Sequence, residues 1–144
     1  MSTTEKLSMS HEDYLEAIYV LAHDGSDEVK SVDIASQLNV SKASVNKAVN
    51  YLREAGYVEQ SPYGKITLTP EGISYGAAVL ERHRMLKGFL MNQLGVSEEV
   101  AQDEACMMEH AISDDTLARW HAYLDRCKQC SNDLNDLLTL QPSD

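Results

Sequence analysis

Long apolar runs are absent from this 144-residue sequence. No segment approaches the roughly 20 apolar residues that a membrane-spanning helix needs, and residues 1–6 lack the apolar core of a signal peptide. The three cysteines form no evident disulfide framework, which is typical of a reducing compartment. Because 43% of the residues are hydrophobic, the chain can still build a core. These properties predict a soluble, cytoplasmic globular protein.

Basic residues are scarce as well. The 12 lysines and arginines face 23 acidic residues, and the resulting net charge of −11 argues against a nucleic-acid partner. The charges are unevenly distributed, however. Residues 1–29 hold one base and seven acids, residues 66–144 hold six bases and thirteen acids, and residues 30–65 hold five bases and three acids. If the protein has a nucleic-acid surface, that surface must therefore lie in the middle of the chain.

The middle of the chain has the pattern of a helix, a short turn and a second helix. Apolar spacing predicts one helix over residues 31–38 and, after a turn, another that Ser41 caps and that ends at Gly56. Two short strands, residues 57–60 and 65–68, follow around a Ser-Pro-Tyr-Gly turn. Helix-turn-helix and hairpin together predict a winged helix.

The second helix of this motif has a small, polar, mildly basic outer face, as expected of a helix that reads the major groove of DNA. The residues expected to contact DNA are Ser41, Lys42, Ser44, Asn46 and Lys47 on this helix and Tyr63 and Lys65 on the wing. A protein-interaction module is the alternative. DNA is favoured because the bases of an otherwise acidic chain collect here.

Five further helices are predicted around this motif. Ser10 is expected to cap the first, with Asp13 completing a capping box, and a long helix begins at Thr69-Pro70. Two more begin after Ser97 and Ser113, and leucines near the C-terminus predict a last short helix. We therefore predict a mainly α protein. A winged-helix DNA-binding domain is expected over residues 1–72 and an all-helical domain over residues 73–144.

The helix after Ser97 contains a candidate metal site. Cys106, Glu109 and His110 stand at i, i+3 and i+4, so a thiol, a carboxylate and an imidazole project within reach of one cation. By themselves they also fit a buried cysteine beside a solvated edge. The apolar residues of the neighbouring face are expected to be core; they are Val100, Met107, Met108, Ala111 and Ile112. A single CxxC motif at residues 127–130 is a weak zinc signal.

Separated motifs appear here in the order of a known family. They are HEDYLEAIY at residues 11–19, the winged helix, ERHR at 81–84, EAC at 104–106 and Glu109-His110. Over residues 10–120 the chain resembles the metal-dependent repressors of the diphtheria toxin repressor and manganese transport regulator family. Its length matches the two-domain form, without the third, SH3-like domain of the iron-responsive branch.

The resemblance implies a homodimer with a regulatory metal held by six ligands: Asp13, Glu16, His83, Cys106, Glu109 and His110. Local pattern alone makes Asp13 a capping residue, Glu16 a solvated residue and His83 a core residue. Cys106 is typical of the iron-responsive branch and Asp13 of the manganese regulators, so the ligand set is a hybrid. A thiolate favours softer cations than manganese. We therefore expect Fe(II), with Mn(II) second.

The function implied by the resemblance is metal-activated repression of metal-uptake genes through a palindromic operator in double-stranded DNA, without enzymatic activity. Two other interpretations stay open. One is a winged-helix regulator that senses a small organic ligand. The other is a metalloenzyme built on Cys106, Glu109 and His110. It is the weakest, because no phosphate-binding loop or nucleophile–base pair appears elsewhere in the chain.

Overall fold

The structure, a computed structural model, describes the backbone of residues 6–139 and the side chains of residues 6–128. The described residues form six helices and a two-stranded sheet, which confirms the mainly α class. They divide into a unit that ends at Arg84 and a unit that begins at Met85. The proposed domain boundary at residue 72 stays a prediction. None of the described helices combines the length and the apolar character needed to cross a lipid bilayer.

The first unit is a winged helix. Its elements are α1 (Met9–Leu21), α2 (Ser31–Leu38), α3 (Lys42–Glu54), β1 (Val58–Gln60), β2 (Ile66–Leu68) and the first part of α4 (Pro70–Asn92). The strands β1 and β2 pair antiparallel, with Val58 opposite Leu68. Ile66 of β2 also exchanges two backbone hydrogen bonds of 2.8 Å with Val29, which lies outside the two strands. These pairings confirm the predicted hairpin.

The two helices of the helix-turn-helix are set by local signals. Asn39 ends α2 in the left-handed conformation, at φ 53°, which turns the chain sharply. The hydroxyl of Ser41 then accepts a hydrogen bond of 3.1 Å from the Ser44 N–H and caps α3. On the inner face of α3, Val45 and Leu52 are fully buried. The predicted cap of this helix is confirmed.

The first helix begins earlier than expected. Ser8, and not Ser10, is its N-cap residue, with its hydroxyl accepting a hydrogen bond of 3.2 Å from the His11 N–H. The prediction of a capping box from Ser10 to Asp13 is therefore wrong. Leu7, directly before this cap, is buried, so the chain already packs in the core before α1 begins. Asp13 consequently lies beyond the first turn of α1 and does not cap it.

The second unit consists of the end of α4 with α5 (Glu98–Ala111) and α6 (Asp114–Thr139). Leu86, Leu90 and Leu117 are central to its core, and Phe89 packs edge-to-face on Trp120 with ring centroids 5.1 Å apart. Helix α6 runs unbroken to Thr139, so the prediction of a separate last helix is wrong. No glycine or proline occurs within it to end it.

The buried face of α5 also differs from the prediction. Val100 and Met107 were expected in the core, but they are 45% and 58% exposed. Met108 and Ile112 were expected there too, and they pack against the core while partly buried. The fully buried residues are Ala101, Ala105 and Glu109, at i, i+4 and i+8. Alanine side chains let the α5 backbone approach the core closely, and this small-residue stripe is less visible in sequence than the larger apolar one.

Glycine at position 72 is expected to be required for stability. A Cβ atom there would overlap the carbonyl oxygen of Tyr57, which belongs to the backbone and cannot move aside cheaply. Replacing Gly72 with alanine should lower the free energy of unfolding by about 2 kcal/mol or more, as overpacking does. Urea unfolding measures this. The matched control is Gly88→Ala, because only Asn92 lies near that position, at 3.9 Å. It should stabilise the protein by about 0.5–1 kcal/mol through helix propensity; equal effects would contradict the prediction.

Candidate metal centre and DNA-binding helix

The three candidate ligands on α5 come together as their spacing predicts. The Sγ atom of Cys106, a carboxylate oxygen of Glu109 and a ring nitrogen of His110 all lie within 4.8 Å of one another. Ligand atoms bound to one cation at about 2.0–2.3 Å can be at most about 4.6 Å apart. The three side chains therefore need to move only a few tenths of an ångström to share an ion. Thiolate, carboxylate and imidazole are all transition-metal donors, so the residues present fit such an ion.

The candidate metal centre lies in a shielded environment. Glu109 is fully buried, and the side chain of His110 is only 4% exposed. The His110 Nε2 atom lies 3.2 Å from Glu109 Oε1, and Cys106 is half-buried beside them. Burying a carboxylate is costly unless a cation or hydrogen-bond donor compensates it. A site that brings a buried carboxylate, an imidazole and a thiol together is suited to hold a divalent ion.

The other three candidate ligands belong to the first unit. Asp13 and Glu16 are half-buried on α1, and His83 is 6% exposed on α4. Because Ser8 caps α1, the capping interpretation of Asp13 is excluded. Glu16 is not the fully solvated residue that local pattern favours. The role of all three as metal ligands stays a prediction.

The outer face of α3 is open to solvent. Lys42, Asn46 and Lys47 are exposed there, as are the two serines at its start. The hydroxyl of Ser41 donates a hydrogen bond of 2.9 Å to the hydroxyl of Ser44 in addition to its capping role. Exposed bases at the start of this helix can reach phosphates and base edges. The part played by each residue in DNA binding stays a prediction.

The two candidate residues of the wing differ in their surroundings. Tyr63, at the tip of the hairpin, is 92% exposed. The ammonium group of Lys65 lies 3.1 Å from a carboxylate oxygen of Glu28, in an ion pair about half exposed on both sides. Such a pair contributes little to stability and opens readily when a phosphate competes for the lysine. Lys65 can therefore exchange this partner for another anion, and its contact with DNA stays a prediction.

The ion pair between Glu12 and Arg82 was not predicted from the sequence. Glu12 is fully buried on α1 and accepts a hydrogen bond of 2.9 Å from the Arg82 guanidinium on α4. The two residues are 70 positions apart, so no local spacing connects them. One feature of the sequence does indicate that Glu12 is buried. It lies three residues before Leu15, on the apolar stripe of α1. An acidic residue on such a stripe needs a buried partner.

The CxxC motif is only partly visible. Cys127 is exposed on α6, and the side chain of Cys130 lies outside the described side chains. Among the residues whose side chains are described, the structure shows no second cysteine beside Cys127. The role of the whole motif therefore falls partly outside the described side chains and stays a prediction.

Comparison with protein families assigns a description to each half of the chain. Residues 6–66 match the N-terminal DNA-binding domain of iron-dependent repressors. Residues 69–136 match the metal-binding and dimerisation domain of the same proteins. The candidate metal centre lies within the second match and α3 within the first.

Individual relatives agree with this description. The chain is 38% identical over 122 residues to an uncharacterized HTH-type transcriptional regulator of Methanocaldococcus jannaschii. The aligned region covers 85% of this chain and 98% of the relative. It is 37% identical over 112 residues to the transcriptional regulator MntR of Salmonella typhimurium, covering 78% of this chain and 70% of the relative.

A solved structure shares the fold. It is a manganese-dependent transcriptional repressor in complex with manganese, 34% identical, with a TM-score of 0.70 and coverage of 80% of this chain and 52% of that one. The chain spans about half the length of the first solved structures it matches.

Proposed function

This chain belongs to the iron-dependent repressor family of metal-dependent transcriptional regulators, and from that premise we propose that it is a metal-activated repressor that binds a palindromic operator as a homodimer. The observation that carries the proposal is the cluster formed by Cys106, Glu109 and His110 within a domain of the metal-binding type. A family of transcriptional regulators acts through binding and not through catalysis. The regulated genes are proposed to be those of metal uptake.

The ligand set is proposed to draw on both units. Cys106, Glu109 and His110 hold the ion in the second unit, and Asp13, Glu16 and His83 supply further ligands from the first. A bound divalent cation supplies the positive charge that lets clustered carboxylates approach one another. In the absence of that charge, carboxylates gathered at one site repel one another. Ligand binding is thus coupled to the arrangement of α1, which carries two of the proposed ligands and belongs to the DNA-binding unit.

The arrangement of the dimer determines DNA binding. Two copies of α3 can read both half-sites of a palindrome when they stand about one DNA turn apart, roughly 34 Å. Val100 and Met107 support an interface on α5, because these large apolar side chains are exposed on one face at i and i+7. The family description of residues 69–136 as a dimerisation domain supports the same proposal.

We favour Fe(II) as the activating ion, with Mn(II) second. The Cys106 thiolate lies with Glu109 and His110 and makes the site softer than one built from oxygen and imidazole alone. The proposed carboxylate ligands on α1 favour manganese. The solved manganese-dependent repressor that shares the fold supports Mn(II) as the alternative.

The proposal is tested by selection of DNA. Random-sequence duplexes are selected on the protein under anaerobic conditions with Fe(II), with Mn(II) and with chelator alone. Fluorescence anisotropy then measures the affinity of the enriched duplex under each condition. Enrichment of a palindrome that binds only with metal is expected. Equal binding with and without metal would overturn the metal proposal and favour a regulator that senses an organic ligand.

Replacing Lys47 with alanine should weaken operator binding without changing metal affinity in the absence of DNA. Lys47 is exposed on the outer face of α3, so its loss removes a phosphate contact and should reduce the salt slope of log affinity by about 1 per subunit. Anisotropy at several salt concentrations measures the slope. Lys128→Ala is the matched control, since Lys128 is an exposed lysine on α6. If Lys47→Ala also weakens metal binding, DNA binding and metal binding are not divided between the units as proposed.

A further inference from the structure

The ion pair between α1 and α4 is largely shielded from solvent. Glu12 has no exposed surface, and the Arg82 side chain is only 15% exposed. The Arg82 Nη2 atom donates a hydrogen bond of 2.9 Å to Glu12 Oε2. Burying two charges costs several kcal/mol each, and only close, well-oriented contact offsets this. The pair therefore tolerates little displacement of one helix along the other.

Tyr75 extends the pair into a network. Its hydroxyl accepts a hydrogen bond of 3.1 Å from the Leu7 N–H, just before α1 begins, and it also bonds to the Glu12 carboxylate. Burial raises the pKa of Tyr75 to about 12, and the nearby Glu12 carboxylate adds to the rise, so the hydroxyl stays protonated and donates to that carboxylate. The start of α1 is thus tied to α4 at two points, by Tyr75 and by Arg82.

The network lies beside proposed metal ligands on both helices. Glu12 directly precedes Asp13, and Arg82 directly precedes His83. Glu16 follows Glu12 by four residues and so lies one turn along the same face of α1. If α1 shifted by one residue along α4, it would rotate by about 100°, and the side chains of Asp13 and Glu16 would then point in a different direction. The ion pair constrains that rotation.

We propose that Glu12 and Arg82 are positioning residues that hold Asp13, Glu16 and His83 ready for the metal, an inference that rests on the proposed function. Neither residue is itself a ligand in this scheme. Partners that orient metal ligands typically change metal affinity by about 10- to 100-fold when they are lost. The pair should therefore set how much free metal is needed to activate the repressor.

The test titrates purified protein with Co(II), whose visible absorption reports both affinity and ligand arrangement. Arg82→Gln should lower Co(II) affinity by about tenfold or more and alter the visible bands, whereas Arg82→Lys, which keeps the charge, should restore part of both. Arg84→Gln is the matched control, because Arg84 is an exposed arginine two residues further along α4. It should bind Co(II) as the wild type does.

A second variant covers loss of folding. If Arg82→Gln fails to fold because the buried Glu12 has lost its cationic partner, Glu12→Gln/Arg82→Gln removes both charges of the pair and keeps two groups that can hydrogen-bond. Folded variants, checked by circular dichroism, with wild-type Co(II) affinity and spectrum would overturn the inference while leaving the proposed function intact. Absence of Co(II) binding in the wild type would instead overturn the proposed function, and this inference with it.

Discussion

Replacing Glu109 with alanine is expected to abolish metal-activated DNA binding while a folded dimer persists. Glu109 is fully buried beside a thiol and an imidazole, so its carboxylate is the candidate ligand of the α5 cluster that is most shielded from water. Its removal should weaken metal-dependent operator binding by more than about 100-fold. This exceeds the loss of about 10- to 100-fold that is typical when a residue that only orients a metal ligand is removed. His110→Ala should behave alike. Anisotropy with saturating Fe(II) or Mn(II) measures the effect, and sedimentation confirms the dimer.

Controls separate ligand loss from loss of packing. Glu109→Gln keeps the volume of the side chain but removes its charge, so it should lose metal activation without opening a cavity. Glu104→Ala removes an exposed carboxylate from the same helix and should leave activation unchanged. Retention of the metal response in the Glu109 or His110 variants would show that the cluster is not the regulatory site.

Replacing Cys106 with glutamate is expected to reverse the order of metal preference. The wild type should bind its operator at a lower free concentration of Fe(II) than of Mn(II), because the thiolate favours the softer ion. A carboxylate at position 106 should make the site hard and shift the ratio of half-activating concentrations toward Mn(II) by about tenfold or more, or about 1.4 kcal/mol. Anaerobic anisotropy with each metal titrated separately measures both ratios.

Cys127→Ser is the matched control for this experiment. Cys127 is an exposed thiol on α6, so this variant shows whether oxidation or non-specific metal binding by a cysteine affects the measured preference. It should leave the preference unchanged. If Mn(II) activates the wild type as well as Fe(II) does, and Cys106→Glu behaves alike, the thiol is incidental and the protein is a manganese regulator. Activation by neither metal would favour the organic-ligand alternative.

Helix starts illustrate how far local signals reach. The predicted cap at Ser41 is present, and Thr69 and Ser113 cap the helices that were predicted to begin beside them. Each hydroxyl accepts a hydrogen bond from an N–H three residues later. The cap of α1 was misplaced because Ser8 and Ser10 both suit the role locally. Burial of Leu7 decided between them. Ser97 holds the predicted N-cap position of α5, but its side chain makes no capping hydrogen bond.

Burial on α5 was harder to predict than helicity. Val100 and Met107 are the larger apolar residues, so hydrophobicity alone turns their face inward. The structure buries Ala101, Ala105 and Glu109 instead. Periodicity finds a stripe on a helix, but the size of the gap between neighbouring helices decides which stripe fits it.

The sequence by itself determined the winged helix, the helical second unit and the meeting of Cys106, Glu109 and His110. These features depend on caps, turns and i, i+4 spacing, which act within a few residues and are written in the chain locally. Only the tertiary structure decided that α6 is continuous, which face of α5 is buried, and that Glu12 pairs with Arg82. The last requires two residues 70 positions apart to meet, and the packing of whole helices determines such a contact.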